Sequence, residues 1–143
     1  MNHFRSLRWC VFLLACVPSL ATAAEPSLVE WTQQRVVAGI VKPLAERSGR
    51  SLSRARPAPR ESRVRVTQTT LSRDAQGREF VPFAVDVHYG KGKWQTDDIV
   101  GCAYRTSGQL FVKVGDAYYP ALLLLGKQVD PVASVCQSAA ARS

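Results

Sequence analysis

Residues 102–136 read CAYRTSGQLFVKVGDAYYPALLLLGKQVDPVASVC. Leu110, Val112 and Val114 fall on every second position, the spacing of a strand with one buried face. Gly115-Asp116 follows, a two-residue hairpin signal in which glycine supplies the positive φ that a mirror-image turn needs. Ala117 to Tyr119 then returns as the partner strand, and Pro120 ends the pairing. Ala121 to Leu125 is the most apolar run of this half of the chain. It is too short for periodicity to separate a buried strand from one helical turn. Asp130-Pro131 predicts a helix start, since proline's missing amide is one a first helical turn leaves unpaired anyway. Val132, Val135, Cys136 and Ala139 would form the apolar stripe of that short C-terminal helix.

Working back from Cys102, Ile99 to Tyr104 reads as a strand and Thr106-Ser107-Gly108 as the turn after it. Phe80 to Tyr89 carries the clearest alternation in the chain, with Val81, Phe83, Val85, Val87 and Tyr89 on one face. Pro82 cannot donate to a ladder, which predicts an edge position or a bulge there. Asp74 to Gly77 and the Gly90-Lys91-Gly92-Lys93 run are turns. Val64 to Leu71, with Val64 and Val66 followed by threonines, suits a strand wetted on one side.

The N-terminal half has a different texture. Ser27-Leu28-Val29-Glu30 spells a capping box, and Val37, Ile40, Val41 and Leu44 recur at helical spacing, so residues 25–47 predict a helix. Trp31 falls on nearly the opposite side of that helix and would cover another neighbour. Pro43 should kink or restart it, and Gly49 is a natural stop. Residues 48–62 contain one leucine, two prolines and several arginines, too little apolar surface to offset the entropy of ordering them. They read as a basic connector to a β-rich domain over residues 63–143.

The chain's net charge of +8 is concentrated there. Arg47, Arg50, Arg54, Arg56, Arg60, Arg63 and Arg65 face Glu61 alone, whereas from Val66 onward eight basic residues meet seven acidic ones. Such a segment can hold an anion, lipid or polysaccharide included, or can be a solvated connector. No aromatic side chain interleaves the arginines of residues 47–65, as a platform for single-stranded nucleic acid would require.

Residues 1–24 read as a cleaved leader. Arg5 and Arg8 precede nine apolar residues, Trp9 to Val17, and Ala21-Thr22-Ala23 offers small residues at the spacing a signal peptidase reads. Nine residues cannot span a hydrocarbon core that takes roughly twenty in a helix. An alternative cut before Cys16 would make a lipid-anchored protein. On the first reading the mature chain is exported to the periplasm or the medium, has no transmembrane segment, and keeps Cys102 and Cys136 in an oxidising compartment. Joining them closes a loop of 34 residues, worth about 3.8 kcal/mol in the chain-entropy model.

The inventory of reactive groups is thin. His88 is the sole histidine after the leader. It shares a strand face with Asp86, but no Gly-x-Ser-x-Gly elbow accompanies it for a hydrolase. Asp97-Asp98 lacks the oxygen-rich spacing of a calcium loop, the only methionine is Met1, and no cofactor or metal is implied. Tyr89, Trp94, Tyr118 and Tyr119 sit near turns and strand ends, where amphipathic rings fill a small core or form a recognition surface. The expectation is an α+β protein: an N-terminal helix, an antiparallel meander of about five strands, and a short C-terminal helix tied to the sheet by Cys102–Cys136. Its expected role is that of an exported, non-enzymatic binding or inhibitor-like protein, with an envelope or extracellular protein or glycan as partner. The alternatives are docking on anionic lipid or polysaccharide through the arginines, and a hydrolase using His88.

Overall fold

The computed structural model describes residues 23–50, 59–68, 70–90 and 92–139. Residues 1–22 of the expected leader, and Arg54 and Arg56 of the connector, lie outside the described residues, as does the Arg50 side chain. The architecture is α+β: one helical rod and a six-stranded antiparallel sheet.

The rod starts where the capping box places it. The Ser27 amide donates to Glu30 Oε2 at 2.9 Å and the Glu30 amide to Ser27 Oγ at 3.2 Å, so two donors that a helix start would orphan are satisfied. The α-helix Leu28–Val36 (α1) opens into a π-helical turn, Val37–Val41, and resumes as Lys42–Arg50 (α2). The wide turn answers Pro43. A proline ring collides with the carbonyl four residues back, and here the preceding amide, Lys42, reaches five residues back to the Val37 carbonyl. The helix therefore re-registers without stopping, and it runs through Gly49. The buried face also differs from the expected one: Thr32, Val36 and Ile40 are sealed, while Val37 is only half-buried.

The strands are β1 (Glu61–Val66), β2 (Ser72–Arg73), β3 (Glu79–His88), β4 (Trp94–Tyr104), β5 (Leu110–Val114) and β6 (Ala117–Pro120), in spatial order β1-β3-β4-β5-β6 with β2 also on β3. Glu61 and Ser62, read as connector, belong to β1, and the threonines after Val66 lie beyond it. Pro82 sits in a central strand, against expectation. The Thr67 amide donates to its carbonyl at 3.3 Å, so the missing Pro82 amide faces the end of β1 and costs the ladder with β4 nothing. The irregularity comes lower down, where the β3–β4 register shifts between Val85 and Val87 and Asp97 takes a φ of 53°.

Alternation gives the sheet two unlike faces. Phe83, Val85, Val87, Ile99, Ala103 and Val112 pack against Val36 and Ile40 of the rod. On the other face Phe80, Cys102, Tyr104 and Phe111 are covered by Val135. Cys102 and Cys136 form a disulfide, with Cα atoms 6.3 Å apart. Among the described residues the expected C-terminal helix does not form. Residues 127–139 run as an irregular strap in which Ser134 and Cys136 have φ of 61° and 55°, a hand that L-residues cannot sustain in a helix. The Val132 amide donates to the Tyr118 carbonyl at 2.8 Å, tying the strap to β6. Ala121–Leu125 is a 3₁₀ turn, ended by Gly126 with φ of 73°.

Candidate functional site

The strap covers only the Phe80 end of its face. At the other end the same face presents, from β1, Glu61, Arg63 and Arg65; from β3, Asp86 and His88; and from β4, Trp94. The register explains the cluster, because Arg63 lies opposite Asp86 and His88 opposite Trp94.

Asp86 organises the region. Its carboxylate takes Arg65 Nε at 2.9 Å and Arg65 Nη2 at 3.2 Å, and the Asp97 amide at 3.0 Å. Arg65 also pairs with Asp97. The Arg65 guanidinium, then the Asp97 amide, hold the Asp86 carboxyl below its ordinary range against the cost of burial, and the same contact with Asp86 raises Arg65. The bulge is thus pinned on both sides by one carboxylate.

Arg63 is placed differently. Its guanidinium lies over the Trp94 ring, 4.0 Å from the centroid, within reach of the ring quadrupole. Among the described residues no carboxylate comes within 4.0 Å of it, and its charge acts on the facing Asp86 carboxyl at longer range, helping to lower it. His88 stands beside the same indole, ring centroids 5.2 Å apart. The hydrogen bond that a shared strand face would allow between Asp86 and His88 is absent: the Asp86 oxygens go to Arg65 and Asp97, and His88 Nδ1 is buried without a partner. In a Ser-His-Asp arrangement that nitrogen donates to an acceptor that orients the ring.

The four aromatic residues proposed as one recognition surface are divided between the two faces. Trp94 belongs to the open face. Tyr118 packs beside the cluster under the strap, and Tyr89 and Tyr119 pack against the helix-side core, with the Tyr89 hydroxyl donating to Asp98 at 2.6 Å. Asp97 and Asp98 are therefore engaged with Arg65 and Tyr89, and no group of three metal-ligating side chains gathers among the described residues. Arg47 and Arg60 are exposed.

The sequence reading missed the network at the far end of β3. Asp74, 2 % exposed, accepts the Gln76 amide at 3.0 Å, the Arg78 amide at 2.9 Å, Arg78 Nε at 2.8 Å and the Tyr104 hydroxyl at 2.8 Å. Burial pushes its carboxyl up, but the bonds from Arg78 and Tyr104 outweigh that and hold it below the ordinary value. Tyr104, raised mainly by burial, also accepts the Cys136 amide at 3.0 Å. One buried phenol therefore joins turn, sheet and strap. The only sequence signal was an aspartate opening a turn. No protein-family model, curated protein or solved structure matches this chain. Among the described residues no helix is long and apolar enough to cross a membrane.

Proposed function

We propose that this is an exported, non-enzymatic binding protein that docks an acidic face of a partner protein of the cell envelope or medium onto the open end of the sheet. The observation that carries the reading is the Arg63–Trp94 stack. Arg65 is spent on two aspartates, while Arg63 keeps its charge on a flat aromatic support. Arginine and tryptophan together are the side chains that most often dominate binding energy at protein interfaces. The disulfide supports an oxidising compartment. The residues from 25 onward, immobilised and exposed to envelope extract, should retain a partner that elutes as salt rises. Charge reversal by Arg63→Glu should lose that partner, and an unchanged yield with this variant refutes the reading.

A second reading places binding on anionic lipid or polysaccharide through the arginine segment, favoured by the exposed Arg47 and Arg60, which share that stretch of sequence with Arg50, Arg54 and Arg56. Vesicles containing anionic lipid, offered to the parent chain and to a chain with Arg54→Ser and Arg56→Ser, separate the two. Binding that disappears with those two arginines and ignores Arg63→Glu assigns the work to the connector.

A further inference from the structure

At the opposite end of β3 from Trp94, roughly 30 Å away at about 3.3 Å per residue, two neighbouring turns enclose a cleft of about 500 Å³ lined by Arg73, Gln76, Arg78, Glu79, Thr106 and Ser107, with Tyr104 beneath. That volume lies in the range of small-molecule sites. Both walls are held in place. The turn after Asp74 is fixed by the Asp74 carboxylate bonds to the Gln76 and Arg78 amides. The turn after Tyr104 is fixed by the Arg105 amide on the Glu79 carbonyl at 2.9 Å, the Gly108 amide on the Tyr104 carbonyl at 2.9 Å, and the Gln109 amide on Ser107 Oγ at 3.2 Å. A ligand would not have to order them, which removes a common cost of binding.

The charge pattern selects the ligand class. Arg73 pairs with Glu79 at 2.7 Å and Arg78 with Asp74 at 2.8 Å, so the four charges cancel within the protein. A phosphate or carboxylate would have to compete with Glu79 and Asp74 for each guanidinium. A neutral ligand rich in hydroxyls meets no such competition, because each hydroxyl donates one hydrogen bond and accepts two. Adjacent hydroxyls can therefore lie across a guanidinium and a carboxylate at once. Glu79 Oε1 receives Arg73, and Oε2 takes no hydrogen bond among the described residues. Gln76, Thr106 and Ser107, which carry a carboxamide and two hydroxyls, line the same cleft. The Arg78 guanidinium, which also lines the cleft, lies 4.6 Å from the Tyr104 ring centroid.

We infer that this cleft is a binding site for a neutral saccharide unit, read through vicinal hydroxyls by the Arg73–Glu79 pair and Gln76. The site is separate from the Arg63–Trp94 surface and stands whether or not that surface docks a protein. The test is an array of neutral cello-, malto- and chito-oligosaccharides with polygalacturonate as the acidic comparator, followed by backbone-amide NMR titration of the best binder. The expected result is saturable binding of a neutral sugar, with shifts at Gln76 to Glu79 and Thr106 to Ser107. Affinity should fall at least about tenfold, the loss of one charged hydrogen bond, in Glu79→Gln, and should fall in Gln76→Ala, an exposed position that leaves the fold untouched. Arg63→Glu should bind the sugar as the parent does. Binding of polygalacturonate alone, shifts that map elsewhere, no neutral ligand at millimolar concentration, or full affinity in both cleft variants would overturn the assignment.

Discussion

Gly101 shows what a single side chain would do to this sheet. It lies in β4 opposite Val112, and a Cβ there would meet the Phe111 carbonyl and the Phe83 ring. Neither can yield, one being backbone and the other part of the sealed core, so Gly101→Ala should destabilise by about 3 kcal/mol, the upper end of overpacking costs. Urea unfolding checks this, and a loss below about 1 kcal/mol would show that the strands can spread. Asp74 is the polar counterpart. Replacing it by Asn sets an amide donor against the Arg78 and Tyr104 donors, which should cost about 2 kcal/mol, the loss of one hydrogen bond to a charged group. Its carboxyl is depressed in the folded state, so its stabilisation is complete above the unfolded value of about 3.9 and drains as pH falls through the lower folded value. Asp74→Asn should accordingly flatten the acid limb of a stability profile.

At the scale of elements, β3 was legible because one of its faces is sealed along its length and period two shows through. Val81, Phe83, Val85 and Val87 are all sealed. The strap was misread for a physical reason. Val132, Val135, Cys136 and Ala139 have helical spacing, but a segment this short gains little from helix formation, and tethers to Tyr104, Tyr118 and Cys102 bend it through two left-handed residues. The candidate site was half visible. His88 and Trp94 stood out as residue types, whereas the stack of Arg63 on Trp94 depends on β1 and β4 lying on either side of β3, and register of that kind is not written locally. The π turn followed from Pro43 only as a disturbance of unspecified form. The bulge yields its own prediction: Arg65→Gln removes the leading cause of the low Asp86 carboxyl, so the Asp86 titration midpoint, followed by carboxyl NMR, should move upward. An unmoved midpoint would mean that the Asp97 amide alone holds it.

For the whole molecule, one covalent link closes the second core. Reducing Cys102–Cys136, or replacing both by serine, should lower the unfolding free energy by about 3.8 kcal/mol, a large part of the roughly 5–15 kcal/mol that domains possess. Urea titrations with and without reductant measure it, and equal midpoints would count against the strap as a structural member. The strap also has a place in time. A ribosome, and any translocation pore, delivers Cys136 well after the strand it must cover. Until the tail emerges, Phe80, Tyr104 and Phe111 form a sticky wall facing water, and the newborn chain is at its most vulnerable to clumping or to a holdase in that interval.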